Sequence, residues 1–170
     1  MAILKRCWTP FMVYSWTTVK LGCYYASLYT AVFHVLFITY SLYTMDGGKS
    51  DEFYSPFFEF SKYGTVIIGS CAIIYSFVFL MMCAMLIYGV KNENRCMFYP
   101  WMIGMTLEIL IMICMGIWFI FRYYHNSYSF LAAFILWCID GLHLYCLLCV
   151  ISQYQVFKEL QEPKFVILYP

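Results

Sequence analysis

Four long apolar runs constrain the fold of this chain more than any other feature of its sequence. They cover residues 21–45, 63–90, 101–121 and 129–152. Each is long enough to cross the apolar core of a bilayer, which takes roughly 20 residues. Backbone groups in lipid must pair within their own segment, so the runs are predicted to be helices. The sequence therefore predicts one all-α domain over residues 1–170: an integral membrane protein built as a four-transmembrane-helix bundle.

The composition agrees with a membrane protein and argues against several other classes. Only 11% of the residues are charged, whereas about a quarter are charged in a typical soluble domain. A net charge of +1 provides no basic surface for nucleic acid, which is not expected as a partner. The glycine-rich nucleotide loops, the HExxH zinc motif and the GxSxG motif of serine hydrolases do not occur in the sequence. No cofactor and no metal site are predicted, and the first expected partner is the lipid bilayer.

The distribution of lysine and arginine predicts the orientation in the membrane. Both termini and the connection 91–100 carry seven of these residues, and the connections 46–62 and 122–129 carry three. Because the more positive side normally faces the cytosol, both termini are predicted to be cytosolic. The seven are Lys5, Arg6, Lys20, Lys91, Arg95, Lys158 and Lys164, and the three are Lys49, Lys62 and Arg122.

The span ends and the N-terminal segment have features of a membrane interface. Tyrosines and Trp101 stand at the ends of the runs, where aromatic rings commonly anchor at the headgroup level. Residues 8–19 contain Pro10 and Trp16 and no small-residue cleavage pattern, which is not typical of a signal peptide. A short interfacial segment that leads into the first span is expected instead.

Cysteine is frequent but absent from the two connections predicted to face away from the cytosol. Disulfide bonds are therefore not expected there, unlike in the outer loops of tetraspanins and claudins. Thiols next to the cytosolic interface are candidates for S-palmitoylation, because an acyl chain attached there can enter the bilayer. The candidates are Cys7, Cys23, Cys96 and Cys149.

Four ionisable side chains lie inside the predicted spans: His34, Glu108, Asp140 and His143. An ionised carboxylate at a helix centre costs about 2.5–3.5 kcal/mol on insertion scales, so these groups are expected to face the bundle interior. Counting residues along the spans places His34 at the depth of Asp140 and Glu108 at the depth of His143. On the fourth span, a helical stripe predicted to face the interior contains Ala133, Trp137, Asp140 and Leu144.

Three interpretations of this polar set stay open. The four residues fix helix register and hold another membrane protein through polar contacts, or they form a relay for protons or cations. The third interpretation is an assembly signal that is masked only when a partner supplies the counter-group. Enzymatic activity is not expected. Glu108 and Asp140 are predicted at different depths, and Cys138 and His143 are five residues apart, which does not place them on one helix face.

The predicted cytosolic tail, residues 153–170, contains a candidate sorting motif. Tyr154 to Phe157 reads YQVF and matches the YxxΦ pattern that clathrin adaptors bind in extended form. The competing interpretation is that the fourth helix continues through Phe157 to Leu160.

The stretch LYCLLCVISQYQVFKELQE, residues 144–162, and the arrangement of the spans resemble a known group of proteins. They are similar to the insect small four-span proteins related to the lysosome-associated protein transmembrane (LAPTM) family, a wider group with the septate-junction four-span proteins. The chain differs from vertebrate members in lacking a Cys-rich cluster before the first span and a PPxY motif in the tail. The resemblance implies a plasma-membrane junction or an endosomal or lysosomal location.

The expected function follows from the architecture and this resemblance. The chain is predicted to be a non-enzymatic accessory protein, organiser or trafficking adaptor that acts on another membrane protein, or on itself, through lateral helix contacts. The alternative is a small proton-linked transporter or channel subunit that uses the intramembrane histidines and carboxylates.

Overall fold

A computed structural model describes residues 2–9, 16–47, 62–122 and 127–161 and places four long helices in those ranges. They are α1 (Val19–Met45), α2 (Lys62–Lys91), α3 (Phe98–Arg122) and α4 (Ser127–Gln161), with a short 3-10 turn at Arg95–Met97. All four are long and apolar enough to cross a membrane. The prediction of an all-helical chain with four such segments is confirmed.

Neighbouring helices of the bundle run in opposite directions. Between α1 and α2, the Ser27 hydroxyl donates to the Cys83 carbonyl at 3.1 Å, and His34 lies 3.4 Å from the Ser76 hydroxyl. As the residue number rises on α1, it falls on α2. The same opposed numbering joins the other neighbouring pairs. For α2 and α3 the contacts are Tyr75 with Gly104 and Phe79 with Trp101, for α3 and α4 they are Phe98 with Phe157 and Gly116 with Trp137, and for α1 and α4 they are Cys23 with Cys149 and Tyr29 with His143. Helices α1 and α3 therefore lie on a diagonal of the bundle.

The aromatic core lies toward the end of the bundle where α1 and α3 begin. Phe79, Phe98 and Trp101 are fully buried there and form one cluster with Leu86 and Phe157. The prediction that Trp101 anchors the chain at the headgroup level is wrong. Its indole ring is turned inward and meets Phe79 with ring centroids 6.4 Å apart.

Helix α4 continues nine residues past the predicted end of the fourth span at residue 152. This confirms the interpretation that the helix runs through Phe157 to Leu160. The continuation is held by packing: the Phe157 ring is 3% exposed and meets Phe98 edge to face. The first nine residues of the predicted tail are therefore helical, and residues 162–170 lie outside the described part.

Helices α1 and α2 are each followed by a turn in which one residue has a backbone conformation of the left-handed region. Helix α1 ends before Gly47, which has a φ of +95°, and the Gly47 N–H bonds to the Thr44 carbonyl at 3.4 Å. After α2, Glu93 has a φ of 54°. The Glu93 carbonyl accepts from the Gln161 side chain at 2.6 Å, and its carboxylate lies 3.4 Å from Lys20. Glu93 thus connects the α2–α3 turn to α1 and α4.

Residues 2–9 form a non-helical segment, the N-terminal strap, which runs antiparallel along the second half of α4. The Ile3 N–H donates to the Gln155 side chain at 2.9 Å, and at the other end the Trp8 N–H donates to the Tyr145 hydroxyl at 2.6 Å. Five residues of extended chain cover about 16 Å. Ten residues of helix cover about 15 Å, so the two segments stay in register. Of the predicted interfacial segment, residues 8–19, the structure describes 8–9 and 16–19: the Trp8 backbone is bonded to α4, whereas the Trp8 and Trp16 side chains are 45% and 60% exposed.

Candidate functional site

The centre of the polar set is a pair formed across the bundle diagonal. His34 Nε2 on α1 lies 3.5 Å from Glu108 Oε2 on α3, and the two side chains are 1% and 8% exposed. Both residues stand on inward faces in which small neighbours leave room, such as Ser27 and Gly104. A histidine and a glutamate are long enough to meet between helices that are not neighbours. The expectation that these residues face the bundle interior is met by this geometry.

The other face of the His34 ring is fixed by α2. His34 Nδ1 lies 3.4 Å from the Ser76 hydroxyl, which donates to the Ala72 carbonyl at 2.9 Å. The Phe79 ring packs on the imidazole with centroids 4.2 Å apart, and the Tyr75 ring meets it edge to face at 5.8 Å. Contacts to α2 therefore set the orientation in which Nε2 reaches Glu108.

A cavity of about 200 Å³ borders the pair. Besides His34 and Glu108, aromatic and aliphatic side chains of three helices line it, among them Phe37, Tyr75 and Leu107. The pair is thus placed at the wall of an apolar space large enough for several water molecules or a small apolar group.

His143 occupies a separate aromatic compartment on the α1–α4 side. Its ring is fully buried and meets Phe33 edge to face at 4.9 Å and Tyr29 at 5.5 Å. Neither ring nitrogen of His143 has a hydrogen-bond partner among the described residues, and the same holds for Asp140 Oδ1. Asp140 is 8% exposed. The two members of the polar set on α4, Asp140 and His143, are therefore inside the bundle but outside the His34–Glu108 pair.

The two predicted depth layers do not match this pairing. His34 meets Glu108, whereas the sequence grouped it with Asp140 and grouped Glu108 with His143. Counting along the spans estimates depth but carries no information on how each helix is rotated about its axis. Rotation decides which side chains meet at the centre.

The predicted inward stripe of α4 is half wrong for the same reason. Ala133 and Asp140 are buried, but Trp137 and Leu144 are 42% and 49% exposed. The Trp137 indole instead lies at the edge of α3, next to Gly116, where a side chain would collide with it. The buried stripe is Ala133, Leu136, Asp140, His143, Leu147 and Val150.

The opposite side of α4, here named the α4 outer face, has no covering element in the described chain. It consists of five exposed residues, of which Gly141 has open space where a side chain would stand. Toward the end of the helix, the same side is covered by the N-terminal strap at Tyr145 and Ser152. The members of the face are Leu131, Phe134, Cys138, Gly141 and Leu142.

The candidate sorting motif is part of a packed helix. The hydroxyl of Tyr154 is hydrogen bonded to the hydroxyl of Tyr99, and Phe157 is buried. An adaptor that binds this motif in extended form would first have to unfold the end of α4. Function as a sorting signal stays a prediction.

The four palmitoylation candidates differ in accessibility. Cys96 is exposed at the α2–α3 turn, whereas Cys7, Cys23 and Cys149 are buried. Acylation of the buried three requires the N-terminal strap or the helices to move first, so Cys96 is the candidate that needs no rearrangement.

The sequence reasoning missed a thiol cluster at the base of the strap. Cys7 Sγ lies 2.9 Å from Cys149 Sγ, and Cys146 is buried on the same helix. Cys146 and Cys149 have the CxxC spacing, which is the signal that could have drawn attention to α4. The contact of Cys7 with this motif has no sequence signal, because it depends on where the strap docks.

Within the described ranges, no group of three or more His, Cys, Asp or Glu side chains is arranged to hold a metal ion. An imidazole and a carboxylate in contact can exchange a proton, and each can stabilise the other's charge.

Comparison with known proteins gives one match. A family model described as "Domain of unknown function (DUF4728)" matches residues 72–158, just over half of the chain. The matched region contains Glu108, Asp140 and His143, and it excludes His34 and the N-terminal strap. The searches of curated proteins and of solved structures gave no significant match.

Proposed function

The chain belongs to the DUF4728 family, and from the geometry above we propose that it is a non-enzymatic membrane protein that acts through lateral helix contacts. It serves as an accessory protein, organiser or trafficking adaptor of another membrane protein. The observation that carries this proposal is the contrast between the two sides of α4. Its polar residues Asp140 and His143 are turned into the bundle, while its outer face is left open around Gly141.

Close approach of a second transmembrane helix requires this kind of surface. In lipid, helices associate by van der Waals packing, and small residues at the contact let the backbones come near each other. Gly141 provides such a notch between the larger side chains of Phe134 and Leu142. The proposed occupant is a transmembrane helix of another protein. Location at plasma-membrane junctions or in endosomes and lysosomes is proposed with it, on the resemblance to LAPTM-related four-span proteins.

We expect a bulky residue at position 141 to abolish the partner contact. A photoreactive amino acid at position 138 or 142 of α4, in native membranes, should crosslink to one recurrent membrane protein that mass spectrometry identifies. Gly141→Leu fills the notch and should remove that crosslink, because the backbones can no longer approach. Cys71→Leu is the matched control, since it adds similar bulk at an exposed position of α2. Crosslinks to lipid alone from both α4 positions would contradict the proposal.

Both termini are proposed to be cytosolic, on the excess of lysine and arginine on that side. Cys96 provides the test, because its thiol is exposed at the α2–α3 turn. A membrane-impermeant maleimide should leave it unlabelled in intact cells and label it after permeabilisation. Cys96→Ala identifies the labelled site. Labelling of Cys96 in intact cells would reverse the orientation.

A second candidate function, proton-linked transport, is favoured by the location of the His34–Glu108 pair at the wall of the cavity. Purified protein in sealed vesicles would then support a pH-dependent proton flux, measured with an enclosed pH-sensitive dye. Glu108→Gln should abolish that flux, because an amide cannot release a proton at this position. Asp140→Asn gives the corresponding test on α4. Vesicles in which wild type and empty controls are equal would remove this candidate.

A further inference from the structure

Two thiols that are distant in sequence meet where the N-terminal strap crosses α4. Cys7 Sγ and Cys149 Sγ are 2.9 Å apart, and the residues are separated by 142 positions. Cys7 is fully buried and Cys149 is 2% exposed. A disulfide bond has a sulfur–sulfur distance of about 2.05 Å, so the two atoms need to approach by less than about 1 Å to become bonded.

The strap is held in register on both sides of this contact. Before Cys7, the Leu4 N–H donates to the Ser152 hydroxyl at 2.9 Å, and after it the Trp8 N–H donates to the Tyr145 hydroxyl. Tyr145, Cys149 and Ser152 follow each other at helical spacing on one side of α4. The meeting of the thiols is therefore a consequence of the docked strap.

A backbone contact with Thr17 and a glycine on α1 fix the position of Cys7 itself. Its backbone pairs with Thr17 in both directions, with N–H to O distances of 3.0 and 2.7 Å between the heavy atoms. Gly22 of α1 faces the same point: a Cβ there would lie 2.7 Å from Cys7 Cβ and 3.7 Å from Cys149 Cβ. Glycine at position 22 thus leaves the space in which the Cys7 side chain lies against Cys149.

We propose that Cys7 and Cys149 form an oxidisable dithiol site whose co-substrate is a hydroperoxide, and that its disulfide locks the N-terminal strap onto α4. Local opening of the strap, which a few backbone-to-side-chain hydrogen bonds hold on α4, exposes the Cys7 thiol. In the docked strap, the neighbouring Cys149 thiol lowers the pKa of Cys7 by hydrogen bonding to its thiolate, while burial acts in the opposite direction. Cys7 is the thiol that reacts first because it moves into solvent with the opened strap, whereas Cys149 stays on α4.

The reaction is balanced with one hydroperoxide. With hydrogen peroxide as the reagent, the Cys7 thiolate attacks one oxygen, a sulfur–oxygen bond forms and the oxygen–oxygen bond breaks. The leaving hydroxide takes up the proton that the Cys7 thiol released and becomes water. The redocked Cys7 sulfenic acid is then attacked by the Cys149 thiol. The sulfur–sulfur bond forms, the sulfur–oxygen bond breaks and a second water leaves. The two thiols have lost two electrons and two protons, and one peroxide has been reduced to two waters.

Peptide mapping tests the site in the full chain, reconstituted in lipid nanodiscs. After hydrogen peroxide treatment and blocking of free thiols with N-ethylmaleimide, we expect one dominant linked peptide pair that contains Cys7 and Cys149. Dithiothreitol should remove the link, and the oxidised protein should have a higher Tm than the reduced one, because the crosslink restricts the unfolded chain. Cys7→Ser and Cys149→Ser should each abolish the link, whereas Cys71→Ser should not.

Two variants separate the proposed geometry from random oxidation. Gly22→Ala and Ser152→Ala each disturb strap docking without removing a thiol, and each should slow formation of the Cys7–Cys149 link several-fold. Unchanged rates in both variants would overturn the proposal. So would a dominant Cys146–Cys149 link, or Cys7 that is oxidised to sulfinic acid with no link.

Discussion

Replacement of His34 by alanine is expected to lower the free energy of unfolding by about 3 kcal/mol, because truncation of a large buried side chain typically costs about 2–5 kcal/mol and a buried polar group left without its neighbour adds to that cost. The variant removes the imidazole that lies beside the Glu108 side chain, which is 8% exposed in the wild-type protein. A buried carboxylate that has lost its partner must be neutralised or hydrated inside the bundle, and both processes destabilise the native packing. Unfolding by sodium dodecyl sulfate in mixed micelles measures the difference.

A double-mutant cycle separates the pair from the loss of imidazole packing. Glu108→Met combined with His34→Phe replaces both polar groups by apolar ones of similar size. Such replacements are often neutral, so the double variant should recover most of the stability that His34→Ala loses. If His34→Phe lowers the free energy of unfolding by the same amount in the wild-type background and in the Glu108→Met background, the two side chains are not coupled. The pairing then has no energetic role.

Replacement of Trp101 by alanine is the second large expected effect, a loss of about 3 kcal/mol, since truncation of a buried tryptophan generally costs 3–5 kcal/mol. Trp101 is fully buried against Phe79 at the start of α3. Part of this cost persists in a membrane protein, because the cavity left behind removes dispersion contacts that lipid cannot replace.

Trp16 provides the matched control for this prediction. It is 60% exposed, so Trp16→Ala should change stability by no more than about 0.5 kcal/mol. Trp101→Phe should lie between Trp101→Ala and wild type, because the smaller ring still reaches Phe79. Equal Tm values for Trp101→Ala and Trp16→Ala in the same detergent would place Trp101 at the membrane interface, as its position in the sequence first suggested.

The four spans could be predicted from the sequence because bilayer thickness and backbone pairing act on every residue of a segment alike. The predicted run 63–90 and the helix Lys62–Lys91 differ by one residue at each end. At α4 the prediction ended at residue 152 because the apolar run ends there, but a helix need not end where the membrane does. Packing of Phe157 on Phe98 carries it on to Gln161.

Helix rotation could not be predicted with the same success, and Trp137 shows why. In a soluble helix the outward side is polar, so its apolar stripe identifies the core. In a membrane helix the side that faces lipid is as apolar as the core. Trp137 and Leu136 look alike in the sequence, although only Leu136 is buried. Ionisable residues are the remaining sequence signal of the side that faces the bundle interior. They allow His34, Glu108, Asp140 and His143 to be placed inside the bundle, but they do not predict which of these side chains meet.

Docking of the N-terminal strap has a consequence for the order of events during synthesis. The strap is translated before its binding surface on α4, since Cys7 precedes Cys149 by 142 residues. At 5–20 residues per second, the two are made on the order of 10 s apart. During that interval the strap has no site on the nascent chain. Its docking therefore follows the synthesis of α4, and a chain with a docked strap is one whose α4 is already in place.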